Sequence, residues 1–101
     1  MTTDTVIDKV EVTKQILKEP PKYKVIVYND DYTPMEFVIA MFMTIFRKSE
    51  TEAIDLTLKI HNQGLAVAGV YSSEIAEQKA SDATDMARAN NHPLIVKVEK
   101  E

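Results

Sequence analysis

The sequence contains no cysteine among its 101 residues. This absence excludes disulfide bonds, thiolate zinc sites and cysteine nucleophiles, and it is consistent with a cytoplasmic protein. A cluster of basic residues is also missing, because the 12 lysines and arginines are interspersed with 16 acidic residues and the net charge is −4. A phosphate backbone would find no basic surface here, so we expect no nucleic-acid partner.

Long apolar runs are absent as well. The most apolar stretch, residues 37–46, is far shorter than the roughly 20 residues that cross a bilayer. Residues 1–9 include Asp4 and Asp8 and lack the apolar segment of a signal peptide. We therefore expect a soluble protein of the cytoplasm with no membrane partner.

The chain divides at a pair of prolines, Pro20 and Pro21. Before them, residues 1–19 mix polar residues with aliphatic residues that follow neither the period of a strand nor that of a helix. The length allows one domain in addition to such a segment, but not two domains. We predict a flexible N-terminal tail over residues 1–19 and a core domain over residues 20–101.

The core sequence alternates between strand and helix patterns in the order β-α-α-β-α-β. β-branched and aromatic residues indicate three strands, at residues 23–28, 65–71 and 94–98. A helix over residues 74–89 has a spine of alanines, so it can lie close to its neighbour. We predict an α+β fold, a two-layer sandwich of a three-stranded sheet against three helices.

Capping boxes precede the other two helices. Thr33 and Glu36 have the spacing of such a box, and the helix that follows, over residues 34–47, is apolar on nearly every face. A helix of this kind must be enclosed by other elements or must line a pocket. Residues 49–52 form a second capping box, ahead of a helix that Gly64 ends.

The turn before the apolar helix carries three consecutive side chains with hydrogen-bond acceptors: Asn29, Asp30 and Asp31. They suit an ordinary turn that caps the helix. His61, near the end of the second helix, suits a packing role equally well. If the two helices form a hairpin, however, His61 comes close to the turn, and acceptors then surround a groove walled by Met35 and Val38.

Three chemistries could use this cluster. A metal site from Asp30, Asp31 and His61 is one, although adjacent carboxylates do not easily converge on one ion. Acid–base catalysis is another, although the sequence has no nucleophile elbow, phosphate loop or cofactor motif. The third is capture of a primary ammonium group, which donates three hydrogen bonds and accepts none. The residues alone favour a binding module over a small hydrolase or metal protein.

A resemblance to a known family narrows this choice. The run PPKYKVIVYNDDYTPMEFV at residues 20–38, with HNQG at 61–64 and NHPL at 91–94, resembles the ClpS family, the N-degron adaptors of the bacterial ClpAP protease. The resemblance extends over about four fifths of the chain. It implies a fold similar to the C-terminal domain of the ribosomal stalk protein. It also implies a non-catalytic function without metal or cofactor, namely recognition of proteins that begin with Leu, Phe, Tyr or Trp and their delivery to the protease.

The resemblance also implies residue roles. The α-amino group of the substrate would be held by Asn29, Asp31 and His61, with Asp30 beside them. The pocket for the first side chain would be lined by Thr33, Met35, Val38, Thr57, Ile60 and Leu94. Met35 would act as a gatekeeper against β-branched first residues. Glu74 and Lys79 would dock on the N-terminal domain of the ClpA unfoldase, which would also engage the tail.

Thr57 departs from the family pattern, in which methionine is usual at this position. A shorter, partly polar wall would enlarge the pocket or favour one aromatic residue over leucine, so it bears on the order of preference among first residues. Two further hypotheses remain for comparison. One is an interaction domain of the ribosomal-stalk type with no peptide pocket, and the other is a small hydrolase or metal protein that uses Asp30, Asp31 and His61.

Overall fold

The order of elements in the structure is the predicted β-α-α-β-α-β. The structure, a computed structural model, describes residues 20–101, and the predicted tail over residues 1–19 lies outside this range. The elements are β1 (Tyr23–Tyr28), α1 (Met35–Thr44), α2 (Glu50–Gln63), β2 (Leu65–Tyr71), α3 (Ser73–Ala89) and β3 (Ile95–Lys100). The first two predicted strands have the observed bounds, whereas the third begins one residue later and ends two residues later than predicted.

The three strands form one antiparallel sheet in the order β2-β1-β3. Tyr28, the last residue of β1, pairs with Leu65 of β2 on one side and with Ile95 of β3 on the other. β1 is the central strand, and its middle residues, from Val25 to Val27, are buried. The sheet therefore brings the start of β2 and the start of β3 beside the end of β1, where the acceptor-rich turn begins.

The predicted capping box at the start of α1 is wrong. The helix begins at Met35 with Pro34 as its N-cap, and no side chain caps it. The hydroxyl of Thr33 is instead engaged by Asp30, to whose Oδ2 it donates a hydrogen bond of 2.6 Å. A nearby carboxylate thus competes for the threonine that would otherwise cap the helix.

Helix α1 also ends earlier than the predicted residue 47. Its last residue is Thr44, and Arg47 adopts a left-handed conformation with φ of 58° that stops the helix from continuing. The helix buries Val38, Met41 and Phe42 in the core. Its apolar surface is not fully enclosed, however, since Met35 is 41% exposed.

Both predicted ends of α2 are confirmed. The hydroxyl of Ser49 accepts a hydrogen bond from the amide of Glu52, and the Glu52 carboxylate accepts one from the amide of Ser49. Gly64 is the C-cap, with φ of 93°, a left-handed conformation that glycine adopts without steric cost.

Helix α3 lies against the sheet through its small side chains. The predicted alanine spine is buried: Ala76, Ala80, Ala83 and Ala87. These side chains join the residues of β1 and α1 in one hydrophobic core. Leu94, which precedes β3 directly, is 1% exposed and belongs to the same core.

Candidate functional site

The turn between β1 and α1 is organised by the carboxylate of Asp30. Its Oδ1 accepts hydrogen bonds from the backbone amides of Tyr32, at 2.7 Å, and Thr33, at 2.9 Å. Its Oδ2 accepts the bond from the Thr33 hydroxyl. Because both carboxylate oxygens bond within the turn, Asp30 holds the shape of the loop that carries its neighbours.

These bonds stabilise the charged form of Asp30. Desolvation by burial would raise the pKa of this carboxyl. The hydrogen bonds from Thr33 and Tyr32 act in the opposite direction, as does the nearby charge of His92, and together they lower the pKa of Asp30 below its ordinary value of 3.8. The turn is therefore held by a carboxylate that stays ionised at neutral pH.

A backbone hydrogen bond joins this turn to the end of α2. The amide of Asn29 donates to the carbonyl oxygen of Gly64 over 2.9 Å, one step beyond the pairing of Tyr28 with Leu65. His61 is in the last turn of α2, three residues before Gly64. The pairing of β1 with β2 therefore brings His61 close to the turn that carries Asn29, Asp30 and Asp31. The backbone bond from Asn29 to Gly64 achieves this without a direct bond between His61 and the turn.

A cavity of about 240 Å³ lies at this junction. It is lined by Asn29, Asp30, Asp31, Thr33, Met35, Val38, Thr57, Ile60 and His61. The acceptor-bearing Asn29, Asp31 and His61 are exposed, whereas Val38 and Ile60 are buried. The cavity therefore has polar acceptors at its mouth and apolar side chains beneath them.

Nine of the ten residues predicted for the amino-group and side-chain sites line this one cavity. The tenth, Leu94, is not among the residues that line the cavity; it is buried in the hydrophobic core. Sequence analysis missed two features of the site. These are the bond from Asn29 to Gly64 and the turn-holding role of Asp30, and only the Asp-x-x-Thr spacing could have indicated the second.

Thr57 is the only buried polar residue among residues 20–101, with 4% of its surface exposed. Its hydroxyl donates a hydrogen bond of 2.8 Å to the backbone carbonyl of Ala53, one turn earlier in α2. The group is thus satisfied without a ligand, while its residue still forms part of the cavity wall. Thr57 therefore carries a methyl group and an oxygen whose proton is already donated to the Ala53 carbonyl.

The chemistry of the cavity suits a cation attached to an apolar group. An ammonium group needs only acceptors, which the amide oxygen of Asn29, the carboxylate of Asp31 and a neutral His61 can supply. Within residues 20–101, no three or more histidine and carboxylate side chains are grouped so as to hold a metal ion. A cavity of about 150 Å³ accommodates benzene in a protein interior, so the present one has room for an aromatic side chain.

The two residues predicted to dock on an unfoldase lie on α3, away from the cavity. Glu74 is exposed in the first turn. Lys79 is partly buried: its Nζ donates a hydrogen bond of 2.9 Å to the carbonyl of Ile45 at the end of α1, and it lies 5.6 Å from the centre of the Tyr71 ring. Lys79 therefore also joins α3 to α1.

In the part of the chain that the structure describes, none of the helices has the length and apolar character of a membrane span. This finding accords with the short apolar run noted in the sequence.

Comparison with protein families gives one match that covers most of the chain. The model of the family described as ATP-dependent Clp protease adaptor protein ClpS matches residues 18–97. The ATP-dependent Clp protease adapter protein ClpS of Myxococcus xanthus (strain DK1622) is 43% identical over 98 residues, which cover 97% of this chain and 92% of the relative. The protein of the same name from Ruegeria pomeroyi is 47% identical over 89 residues, or 88% of this chain and 79% of the relative.

A solved structure is also similar to this one. It is the structure of Agrobacterium tumefaciens ClpS2 bound to L-phenylalaninamide, which superposes with a TM-score of 0.80 and 41% sequence identity. The match covers 82% of this chain and the whole of that chain. It confirms the predicted α+β fold with three antiparallel strands and three helices.

Proposed function

Because this chain belongs to the ClpS family of adaptors of the ATP-dependent Clp protease, we propose that its cavity binds the first residue of protein substrates. Members of this family are adaptors and not enzymes. The ligand we propose is a free α-amino group together with the side chain of an N-terminal Leu, Phe, Tyr or Trp. The observation that supports this most strongly is a single cavity with exposed acceptors above buried apolar side chains.

The α-amino group would be held at the mouth of the cavity. We assign its three N–H donors to the side chains of Asn29, Asp31 and His61, each of which is exposed and lines the cavity. Asp30 has both carboxylate oxygens engaged in the turn, so we assign it a positioning role. Each hydrogen bond to a charged group such as this ammonium contributes roughly 1.5–3 kcal/mol.

The first side chain would occupy the space beneath the amino group. Val38 and Ile60 provide buried apolar surface there, and enclosing a Phe or Leu side chain contributes about 1.5–3 kcal/mol. Two or three such hydrogen bonds and one such anchor sum to about 4.5–12 kcal/mol before the cost of association is subtracted, and micromolar affinity corresponds to about −8 kcal/mol. Neither contribution is sufficient alone, so recognition requires both.

Met35 would control which side chains enter. It lines the cavity from the first turn of α1 and is 41% exposed, so its side chain can move over an occupant. Methionine is flexible and adapts to γ-branched and aromatic groups. A β-branched residue would bring a methyl group against it near the backbone, and we infer that this contact excludes Ile and Val.

The ligand of the similar Agrobacterium structure supports this assignment. L-Phenylalaninamide combines an α-amino group with a benzyl side chain, which are the two groups that the present cavity suits. Phe37, which follows in α1, does not line the cavity but contacts the ring of His92, with 4.7 Å between the ring centroids. Phe37 is therefore a packing residue of α1 and is not assigned to the ligand.

The protease-facing partner we propose is the N-terminal domain of the ClpA unfoldase, bound through Glu74 and Lys79 on α3. Shallow surface depressions along this helix are lined by these residues and by Ile75, which is 50% exposed. Residues 1–19 would be engaged by the unfoldase during delivery. Such an adaptor works beside an ATP-dependent protease, and we place it in the cytoplasm.

A degradation assay tests the proposal. A reporter protein that begins with Phe should be degraded by ClpAP much faster when this adaptor is added. The same reporter beginning with Ala is the matched control and should show no acceleration. Equal acceleration of both reporters, or of neither, would contradict the proposed function.

A further inference from the structure

The cavity contains one feature that a purely apolar side-chain site does not require. Thr57 is the single buried polar residue of residues 20–101, and it is part of the cavity wall. Burying a hydroxyl is unfavourable unless it is hydrogen-bonded, and here the bond to the Ala53 carbonyl satisfies its proton. The oxygen can then interact with a ligand only through its two lone pairs.

The geometry of this hydroxyl determines what it can bind. Because its proton is donated to Ala53 at 2.8 Å, the oxygen can act toward the cavity only as an acceptor. A ligand group that reaches it must therefore be a donor. A hydroxyl on the far end of an aromatic ring meets this requirement, whereas a benzyl or isobutyl group offers no donor to the oxygen, which then keeps only its bond to Ala53.

We propose that Thr57 accepts a hydrogen bond from the phenol of an N-terminal tyrosine, so that this adaptor prefers Tyr to Phe and Leu as the first residue of its substrates. This inference rests on the proposed function and specifies its substrate class. The cavity of about 240 Å³ has room for the extra oxygen of tyrosine. A site that hydrogen-bonds a substrate hydroxyl discriminates against the analogue without it.

The test compares two peptides that differ only at the first residue, Tyr and Phe, on the unmodified protein and on Thr57→Val. Valine has nearly the same shape but no acceptor. Phe-first peptides should bind Thr57→Val more tightly than the unmodified protein, since the wall becomes apolar. Tyr-first peptides should bind it more weakly, so that the ratio of Tyr to Phe affinity falls by about fivefold or more.

Thr57→Ser is the matched control. It keeps the hydroxyl and should retain the preference for Tyr, although the lost methyl group weakens both peptides. A third peptide, which begins with 4-fluorophenylalanine, tests the same point on the unmodified protein alone. It resembles tyrosine in size but has no donor, and it should bind the unmodified protein no better than the Phe-first peptide.

Two results would overturn the inference. One is a Tyr-to-Phe ratio that is the same in Thr57→Val and in the unmodified protein, and the other is tight binding of the fluorinated peptide equal to that of the Tyr-first peptide. Failure of the proposed function has a different signature, because all of these peptides would then bind the unmodified protein no better than an Ala-first peptide.

Discussion

The backbone amide of Asn29 donates a hydrogen bond to the carbonyl of Gly64 across 2.9 Å. This contact extends the pairing of β1 with β2 by one residue and fixes the end of α2 against the turn that precedes α1. His61 lies less than one helical turn before Gly64. Two segments more than 30 residues apart in the sequence therefore share one corner of the molecule, and the cavity opens there.

Gly64 is expected to be sensitive to substitution because its φ of 93° strains any residue with a side chain. Beyond Gly64 and its neighbours in the chain, nothing lies within 4 Å of the position that a Cβ would occupy, so the cost is conformational and not steric crowding. Gly64→Ala should lower the free energy of unfolding by about 1 kcal/mol in urea titrations. Gly64→Asn should lose less, since asparagine tolerates the left-handed region. Equal stability of all three proteins would show that this backbone strain is absent.

Asp30 is expected to contribute stability that depends on pH. Its pKa is lower in the folded protein than its ordinary value of 3.8, so its contribution is fully present above that pH and is lost as the pH falls through the folded-state value. Asp30→Ala should cost about 1–2 kcal/mol at pH 7. The difference in the free energy of unfolding between the two proteins should shrink as the pH falls below about 4. Urea titrations at pH 7, 4 and 3 measure this, and a constant difference would contradict the account.

Met35→Ala should widen the range of accepted first residues. Peptides that begin with Ile or Val should bind the variant with an affinity at least about tenfold higher than they bind the unmodified protein, because the clash with their β-branch is removed. Met43→Ala is a matched control, since Met43 has a similar exposed fraction of 39% but does not line the cavity. Continued exclusion of Ile and Val by Met35→Ala would refute the gatekeeper role.

Glu74 and Lys79 should respond differently to substitution although we propose one docking role for both. Lys79→Ala removes the hydrogen bond to the Ile45 carbonyl and should lower the free energy of unfolding by about 1 kcal/mol in addition to weakening unfoldase binding. Glu74→Ala should weaken unfoldase binding alone, because Glu74 is exposed. Urea titration and surface plasmon resonance with the unfoldase N-terminal domain measure the two effects. If Glu74→Ala binds the unfoldase domain normally, this face of α3 is not the docking surface.

Local sequence signals predicted much of the fold. β-Branched and aromatic residues predicted β1 and β2 with their observed bounds, and the capping box at Ser49 and the glycine at position 64 predicted the ends of α2. The capping box at Thr33 failed because the same threonine is bonded to Asp30, a competition that spacing alone does not decide. The local sequence identified the turn correctly, but it could not show whether the Thr33 hydroxyl caps the helix or bonds to Asp30.

The site was less predictable where it depends on tertiary contacts. Periodicity alone could not show that His61 lies close to the turn, because this proximity depends on how the helices and strands assemble. The resemblance to a known family predicted it instead. Leu94 is buried in the core and does not line the cavity, so its place in the side-chain pocket stays a prediction from the resemblance. The bond from Lys79 to Ile45 joins residues 34 positions apart and has no sequence signature.

The most direct test of amino-group capture is a titration with two peptides that begin with Phe and differ only in whether the terminus is free or acetylated. The free peptide should bind with micromolar or tighter affinity, and acetylation should weaken binding by about thirtyfold or more, the equivalent of about 2 kcal/mol. In Asp31→Ala, which removes one assigned acceptor, the difference between the two peptides should narrow. Equal affinity of the free and acetylated peptides for the unmodified protein would contradict the account.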